Sequence, residues 1–200
     1  MSDCRYPVPV TIRLQFLAML LGAAISMCWP APATAAEKGA VRVERATTAI
    51  SGDDYLLDAQ FSIRLSSGAR EALENNVPLV FDLQIQLVKK HRLWWDAVIA
   101  ESLQRRQLEY HALSRTYVVT ELDTGKRTAF RSLEDALQAT GSLRELVLTS
   151  LQELEDGGNY VIRLRGNLDI ESLPAPVRLP AYVSSAWDMD SEWYAWPLSR

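Results

Sequence analysis

The chain has 200 residues and a formal charge of −4, with 25 acidic against 21 basic side chains. Nucleic-acid binding depends on a basic surface that neutralises phosphates, and this balance argues against such a partner. Both cysteines, Cys4 and Cys28, lie near the start of the chain, so a protein that loses its first segment has no thiol for catalysis, disulfides or zinc.

That first segment has the form of an export signal. Arg5 and Arg13 make a positive n-region, Leu14 to Ile25 an apolar h-region, and Ala33-Thr34-Ala35 before Ala36-Glu37 a small-residue cleavage pattern. The apolar run from Leu14 to Trp29 is interrupted by Gln15 and Ser26, and falls short of the about 20 apolar residues of a spanning helix. Acylation at Cys28 is disfavoured by Met27, where the processing enzyme needs a small side chain. The expectation is a cleaved signal peptide over residues 1–35, a single β-rich domain over 36–200 without a transmembrane segment, and a periplasmic location.

Beyond the signal, alternation of apolar and polar residues predicts half-buried strands. Val41 to Ile50 is a first candidate. From Tyr55 to Leu65 the odd positions Tyr55, Leu57, Ala59, Phe61, Ile63 and Leu65 are apolar, against Asp58, Gln60, Ser62 and Arg64. Ser67 to Asn76 is a candidate helix, with Ala69, Ala72 and Leu73 facing inward. After Pro78, which suits a strand start, Leu79, Phe81, Leu83, Ile85 and Leu87 alternate with Asp82, Gln84 and Gln86.

Less regular strands are expected at Leu93 to Ala100, Leu108 to Leu113, Thr116 to Leu122 and Arg127 to Phe130. Asp123-Thr124-Gly125-Lys126 forms the turn between the last two. Ser132 and Asp135 open a short helix carrying Leu133, Ala136 and Leu137, which ends near Gly141. Ser142 and Glu145 form a capping-box pattern, and Leu143, Leu146, Val147, Leu151 and Leu154 fall on one helical face, so a second helix is expected from there to Gly157. Glu153, Glu155 and Asp156 would then oppose the macrodipole at its end. Gly157-Gly158-Asn159 is a break. Tyr160, Ile162, Leu164, Leu168 and Ile170 alternate with Arg163, Arg165, Asn167 and Asp169, and an aromatic segment with Trp187, Trp193, Tyr194 and Trp196 closes the chain as a strand. One-sided strands of this kind belong to antiparallel sheets.

Chemistry-bearing groups are sparse. His91 and His111 are the two histidines. His111 has Ser114 and Glu109 nearby in sequence, but no G-x-S-x-G elbow presents a nucleophile, and a solvated strand histidine is the plainer reading. In Asp188-Met189-Asp190-Ser191-Glu192 the carboxylates alternate, which reads as an acidic solvent face rather than a calcium loop. No catalytic residue, cofactor site or metal site is expected. The one constellation that suggests contact is Lys89-Lys90-His91-Arg92 followed by Trp94-Trp95. Lys89, Lys90, Arg92, Trp94 and Trp95 make a candidate interaction surface for an anionic membrane surface or an envelope protein.

Taken together, Ala72-Leu73, Val77-Pro78-Leu79 and Phe81, Trp94-Trp95, Leu108 to Tyr117, Leu168-Asp169 with Leu173-Pro174, and Ser191-Glu192-Trp193-Tyr194-Ala195-Trp196 resemble a known family. It is an exported Gram-negative bacterial family catalogued as domain of unknown function 4390. The resemblance covers nearly the whole exported chain and implies an envelope location, but carries over no active-site residue. Association of the family with genes for a membrane sensor kinase implies an accessory role in envelope signalling.

The expected fold is therefore α+β and β-rich: an antiparallel sheet or sandwich with two to three packed helices. The expected function is that of a non-enzymatic exported binding or accessory protein of the bacterial envelope. Two alternatives stand beside it, a lipid or small-ligand binding protein with an apolar pocket, and a hydrolase of envelope polymers with converging carboxylates.

Overall fold

The computed structural model describes residues 38–91, 95–155 and 157–198. The N-terminal segment with both cysteines lies outside them, as do Arg92, Trp94 and Asp156. The elements in order are β1 (Ala40–Ser51), β2 (Asp54–Arg64), α1 (Ser67–Glu74), β3 (Leu79–Lys89), β4 (Ala97–His111), β5 (Thr116–Glu121) and β6 (Arg127–Phe130). They continue with α2 (Leu133–Thr140), β7 (Ser142–Ser150), β8 (Tyr160–Leu168), α3 (Ala175–Val183) and β9 (Tyr194–Pro197). A three-stranded sheet of order β1-β2-β7 faces a six-stranded sheet of order β6-β5-β4-β3-β8-β9, and the pairings are antiparallel. The fold is α+β and dominated by strands.

Alternation places the core. Tyr55, Leu57, Ala59, Phe61 and Ile63 of β2, Leu79, Phe81, Leu83, Ile85 and Leu87 of β3, and Ile162, Leu164 and Leu168 of β8 are all buried. The polar residues between them take the opposite face. Val41, Leu57 and Phe61 of the small sheet share one apolar cluster with Leu83, Ile85 and Leu164 of the large one. The sheets meet closely at Gly166 of β8, where a Cβ would lie 2.7 Å from Val41 Cγ1 and 3.1 Å from Phe61 Cδ1. A side chain there would push the sheets apart.

Two short helices follow their capping signals. Ser66 Oγ accepts from Ala69 N at 3.2 Å and opens α1, which buries Ala69, Ala72 and Leu73. Ser132 Oγ accepts from Asp135 N at 3.0 Å and opens α2, which ends at Gly141. The turn between β5 and β6 places Gly125 at φ 71°. The third helix, α3, has no counterpart in the sequence reading, because Pro180 inside it argues against a helix. It is held by packing instead: Ala181 is buried in the core and Val177 packs against it, while Arg178 of the helix donates from Nε and Nη2 back to the Leu173 carbonyl at 2.9 and 2.7 Å.

The helix expected from Ser142 to Leu154 is a strand. β7 pairs with β2 so that Leu57 opposes Leu146 and Ala59 opposes Leu143, leaving Arg144 and Glu145 together opposite Asp58. Glu145 takes φ 52°, and its N–H donates to Asp58 Oδ1 at 2.9 Å. This β-bulge stretches the interval between apolar residues from two to three, which mimics helical spacing. Ser142 and Glu145 are therefore not a capping box. Nor do Glu153 and Glu155 close a long helix: Glu153 ends only the single 3-10 turn Leu151–Glu153, where its Oε2 accepts from Thr149 Oγ1 at 2.7 Å, and Glu155 pairs with Lys89.

The two strands expected at Leu93 to Ala100 and Leu108 to Leu113 are ends of one strand, β4, whose middle is too polar to show alternation. It starts at Ala97, so Trp95 precedes the strand. The acidic segment is irregular rather than a strand, although Trp187, Met189 and Ser191 are buried while Asp188, Asp190 and Glu192 are exposed. Ser191 ties it to β8, donating from N to the Gly166 carbonyl at 2.8 Å and accepting from Gly166 N at 2.9 Å. Among the described residues no helix is long and apolar enough to cross a membrane.

Candidate binding groove between the sheets

The small sheet is narrower than the large one, and its edge strand β7 leaves part of the β4-β5-β6 inner face uncovered. The cross-strand register shows the consequence. Facing the core residues Phe81, Leu83, Ile85 and Leu87 of β3, strand β8 supplies Leu168, Gly166, Leu164 and Ile162, whereas β4 supplies Arg106, Gln104, Ser102 and Ala100. The same face of one sheet is apolar on one side of β3 and polar on the other. Between β4-β5-β6 on one side and β7 with α2 on the other runs a groove of about 890 Å³. Gln104, Arg106, Val119, Glu121, Thr128 and Phe130 form its floor, and Asp135, Gln138, Arg144, Leu146 and Val147 its wall.

Arg106 is the unusual residue of this groove. Its side chain is 9% exposed, and Nη1 lies 3.4 Å from Glu121 Oε2 without a hydrogen bond. The Glu121 carboxylate is shared, the same Oε2 accepting from Thr124 Oγ1 at 3.0 Å and Oε1 lying 3.8 Å from Lys126 Nζ. Among the described residues only one other buried side-chain polar atom lacks a hydrogen bond, the Tyr55 hydroxyl. Tyr55 sits in the closed cluster of Leu87, Leu154, Tyr160 and Ile162, away from the groove.

On the outer face of the large sheet a separate ionic staple links β4, β3 and the turn after β8. Arg105 Nε donates to Asp82 Oδ1 at 3.1 Å, and Arg105 Nη2 to Asp169 Oδ2 at 2.5 Å. Burial raises the Asp82 carboxyl above its ordinary range against the pull of Arg105. Burial acts the same way on Asp169, but hydrogen bonds from the Ser172 hydroxyl and backbone, the charge of Arg105 and the Glu171 N–H outweigh it and hold that carboxyl low. The staple is structural: Asp169 also caps the short turn Ile170–Ser172.

A family model described as Domain of unknown function (DUF4390) matches residues 38–197. The chain belongs to this family. No curated protein and no solved structure matches it. The match spans both sheets of the DUF4390 domain, the groove included.

Of the surface expected from sequence, Lys89, Lys90 and Trp95 lie in the described residues, while Arg92 and Trp94 do not. Trp95 is 91% exposed. Both lysines are half-buried and paired rather than free. Lys89 meets Glu155, whose hydrogen bond raises the Lys89 pKa and is matched by a lowered Glu155. Lys90 Nζ lies 2.6 Å from Asp96 Oδ2, which Arg163 also reaches at 3.0 Å. The Asp96 carboxyl is lowered chiefly by the Lys90 hydrogen bond. His111 is exposed on β4 with Nε2 3.8 Å from Glu109 Oε2, and Ser114 Oγ shares a 2.7 Å hydrogen bond with Thr116 Oγ1. The groove itself escaped sequence reading. Its only trace there is the polar middle of β4 beside an apolar β3.

Proposed function

We propose that this DUF4390 protein is a non-enzymatic binding protein of the bacterial envelope, exported to the periplasm, that holds a small ligand in the groove between its sheets. The observation that carries this reading is the polar inner face of β4: Ser102, Gln104 and Arg106 point to the side where β3 and β8 carry core residues. Polar side chains on an inward face call for polar contacts there, and the groove supplies room for a ligand that makes them. The export segment and the family resemblance support the envelope location, and an accessory role in envelope signalling fits both.

The test fills the groove. Leu146 is half-buried on its wall, so Leu146→Trp should block occupancy while keeping the fold. Thermal unfolding in the small-molecule fraction of an envelope extract should show an upward shift for the unaltered protein and none for Leu146→Trp. Equal shifts, or none in either protein, would remove the groove as the binding site. Export is tested separately by intact-mass measurement of protein isolated from its host. A chain beginning at or within a residue or two of Ala36 is expected, and retention of Leu14 to Ile25 would overturn it.

A second reading is favoured by one observation, the nearly complete exposure of Trp95 just before β4. An indole held in water at the tip of a hairpin suits contact with an anionic membrane surface.

A further inference from the structure

We infer that the groove takes an amphiphilic oxyanion, a carboxylate or phosphate head on an apolar body, and that Arg106 receives the head; this rests on the reading of the groove as the binding site. A guanidinium carries five N–H donors in a planar fork. Here it is more than nine-tenths buried, and its Nη1 has no hydrogen-bond partner among the described residues. Buried donors are nearly always satisfied, and an exception marks a place where a partner is missing.

The local charge balance says what kind of partner. Arg106 and Lys126 share a single carboxylate, Glu121, at 3.4 and 3.8 Å, and that carboxylate is further engaged by Thr124. Asp135, Arg144 and Glu145 also line the groove, so its charges balance as a whole, but Lys126 is 69% exposed to water and Arg106 is not, which leaves the buried guanidinium as the cation short of a partner. The fork geometry of arginine matches the paired oxygens of a carboxylate or phosphate. Val119, Phe130 and Leu146 add apolar surface along the same groove, so the anionic head comes with an apolar body. A volume of about 890 Å³ accommodates such a molecule.

Calorimetric titration with dodecanoate, dodecyl phosphate and dodecanol, each kept below its aggregation limit, tests this. The two anions should bind the unaltered protein at least tenfold more tightly than the alcohol, and whichever anion binds better identifies the head group. Arg106→Met should weaken both anions at least tenfold and leave dodecanol unchanged, with Arg106→Lys between. The comparison of anions with alcohol needs no variant, so it stands even where a substitution impairs folding. Dodecanol binding as tightly as the anions, or full anion affinity in Arg106→Met, would overturn the role of Arg106 while leaving the groove as a binding site. Binding of none of the three probes would overturn the amphiphilic oxyanion itself, and the extract measurement with Leu146→Trp would still judge the groove.

Discussion

Strands β8 and β4 flank β3 in one sheet, yet their inward faces have opposite character. β8 lies under the three-stranded sheet and presents Ile162, Leu164 and Leu168 to it, with Gly166 letting Val41 and Phe61 approach. β4 lies toward the margin of that cover, carries Ser102, Gln104 and Arg106 on its inward face, and presents Gln104 and Arg106 to a groove. Strand pairing is indifferent to this distinction, since both strands satisfy their backbone groups against β3. What separates them is the presence or absence of a second apolar layer, and side-chain chemistry follows the layer rather than the strand.

The largest effect that would break the comparison lies on β3, the strand both halves share. Phe81 is fully buried, and Phe81→Ala should cost about 3–5 kcal/mol in chemical denaturation through lost burial and a cavity. Gln104→Ala, on the neighbouring strand and the same face, should change stability by less than about 0.5 kcal/mol. Comparable losses at both sites would mean that the groove is closed core.

Asp169→Asn probes the outer face of the same strands and should cost about 1 kcal/mol at neutral pH, where the carboxylate accepts from Arg105 and Ser172. The folded carboxyl is held below its ordinary 3.8, so its stabilisation is present above that value and is lost as pH falls through it toward the lower folded value. Denaturation of the two proteins should therefore converge on acidification. Asp82 runs the other way. Its folded carboxyl is raised, so its stabilising contribution is present at low pH and fades as pH rises through the raised value. A gap between Asp169→Asn and the unaltered protein that is constant with pH would show that the charge is not what matters.

Leu146→Ala sharpens the boundary between covered and open. On a buried helix face the substitution would cost about 2–5 kcal/mol. On a half-buried strand at the groove wall about 1 kcal/mol is expected, measured by the same denaturation. The smallest effect belongs to the hairpin tip. Replacing Lys89, Lys90 and Arg92 by Gln removes surface pairs and should leave the thermal midpoint nearly unmoved. Vesicle co-sedimentation then decides the second reading: salt-dependent loss of binding to anionic vesicles supports a membrane contact at Trp95, and unchanged binding at low and physiological salt removes it.

Much of the fold was legible because burial and alternation coincide in strands covered on one face. β2, β3 and β8 announced themselves residue by residue, the spacing of Ala69, Ala72 and Leu73 marked α1, and Ser132 marked α2. β7 was misread for a local reason. A bulge at Glu145 shifted the apolar interval to three, and the Asp58 side chain that accepts from Glu145 N there is distant in sequence. α3 was invisible because Pro180 speaks against a helix, while what holds it is the packing of Val177 and Ala181 against the core. The candidate surface at Lys89 and Lys90 read as free charge because Glu155, which pairs with Lys89, is distant in sequence, and Asp96, though near Lys90 in sequence, is brought to it only by the pairing of β3 with β4.

By itself the sequence determined the elements whose signals are local: one-sided strands, capped helices, the turn at Gly125 and an antiparallel, strand-dominated architecture. Tertiary structure alone decided which strand faces would be covered. A three-stranded sheet laid over a six-stranded one must leave part of the larger sheet bare. Which residues fall there depends on long-range pairing that no local pattern encodes. Arg106 acquires its buried, incompletely satisfied guanidinium from that mismatch in width, and the groove exists for the same reason.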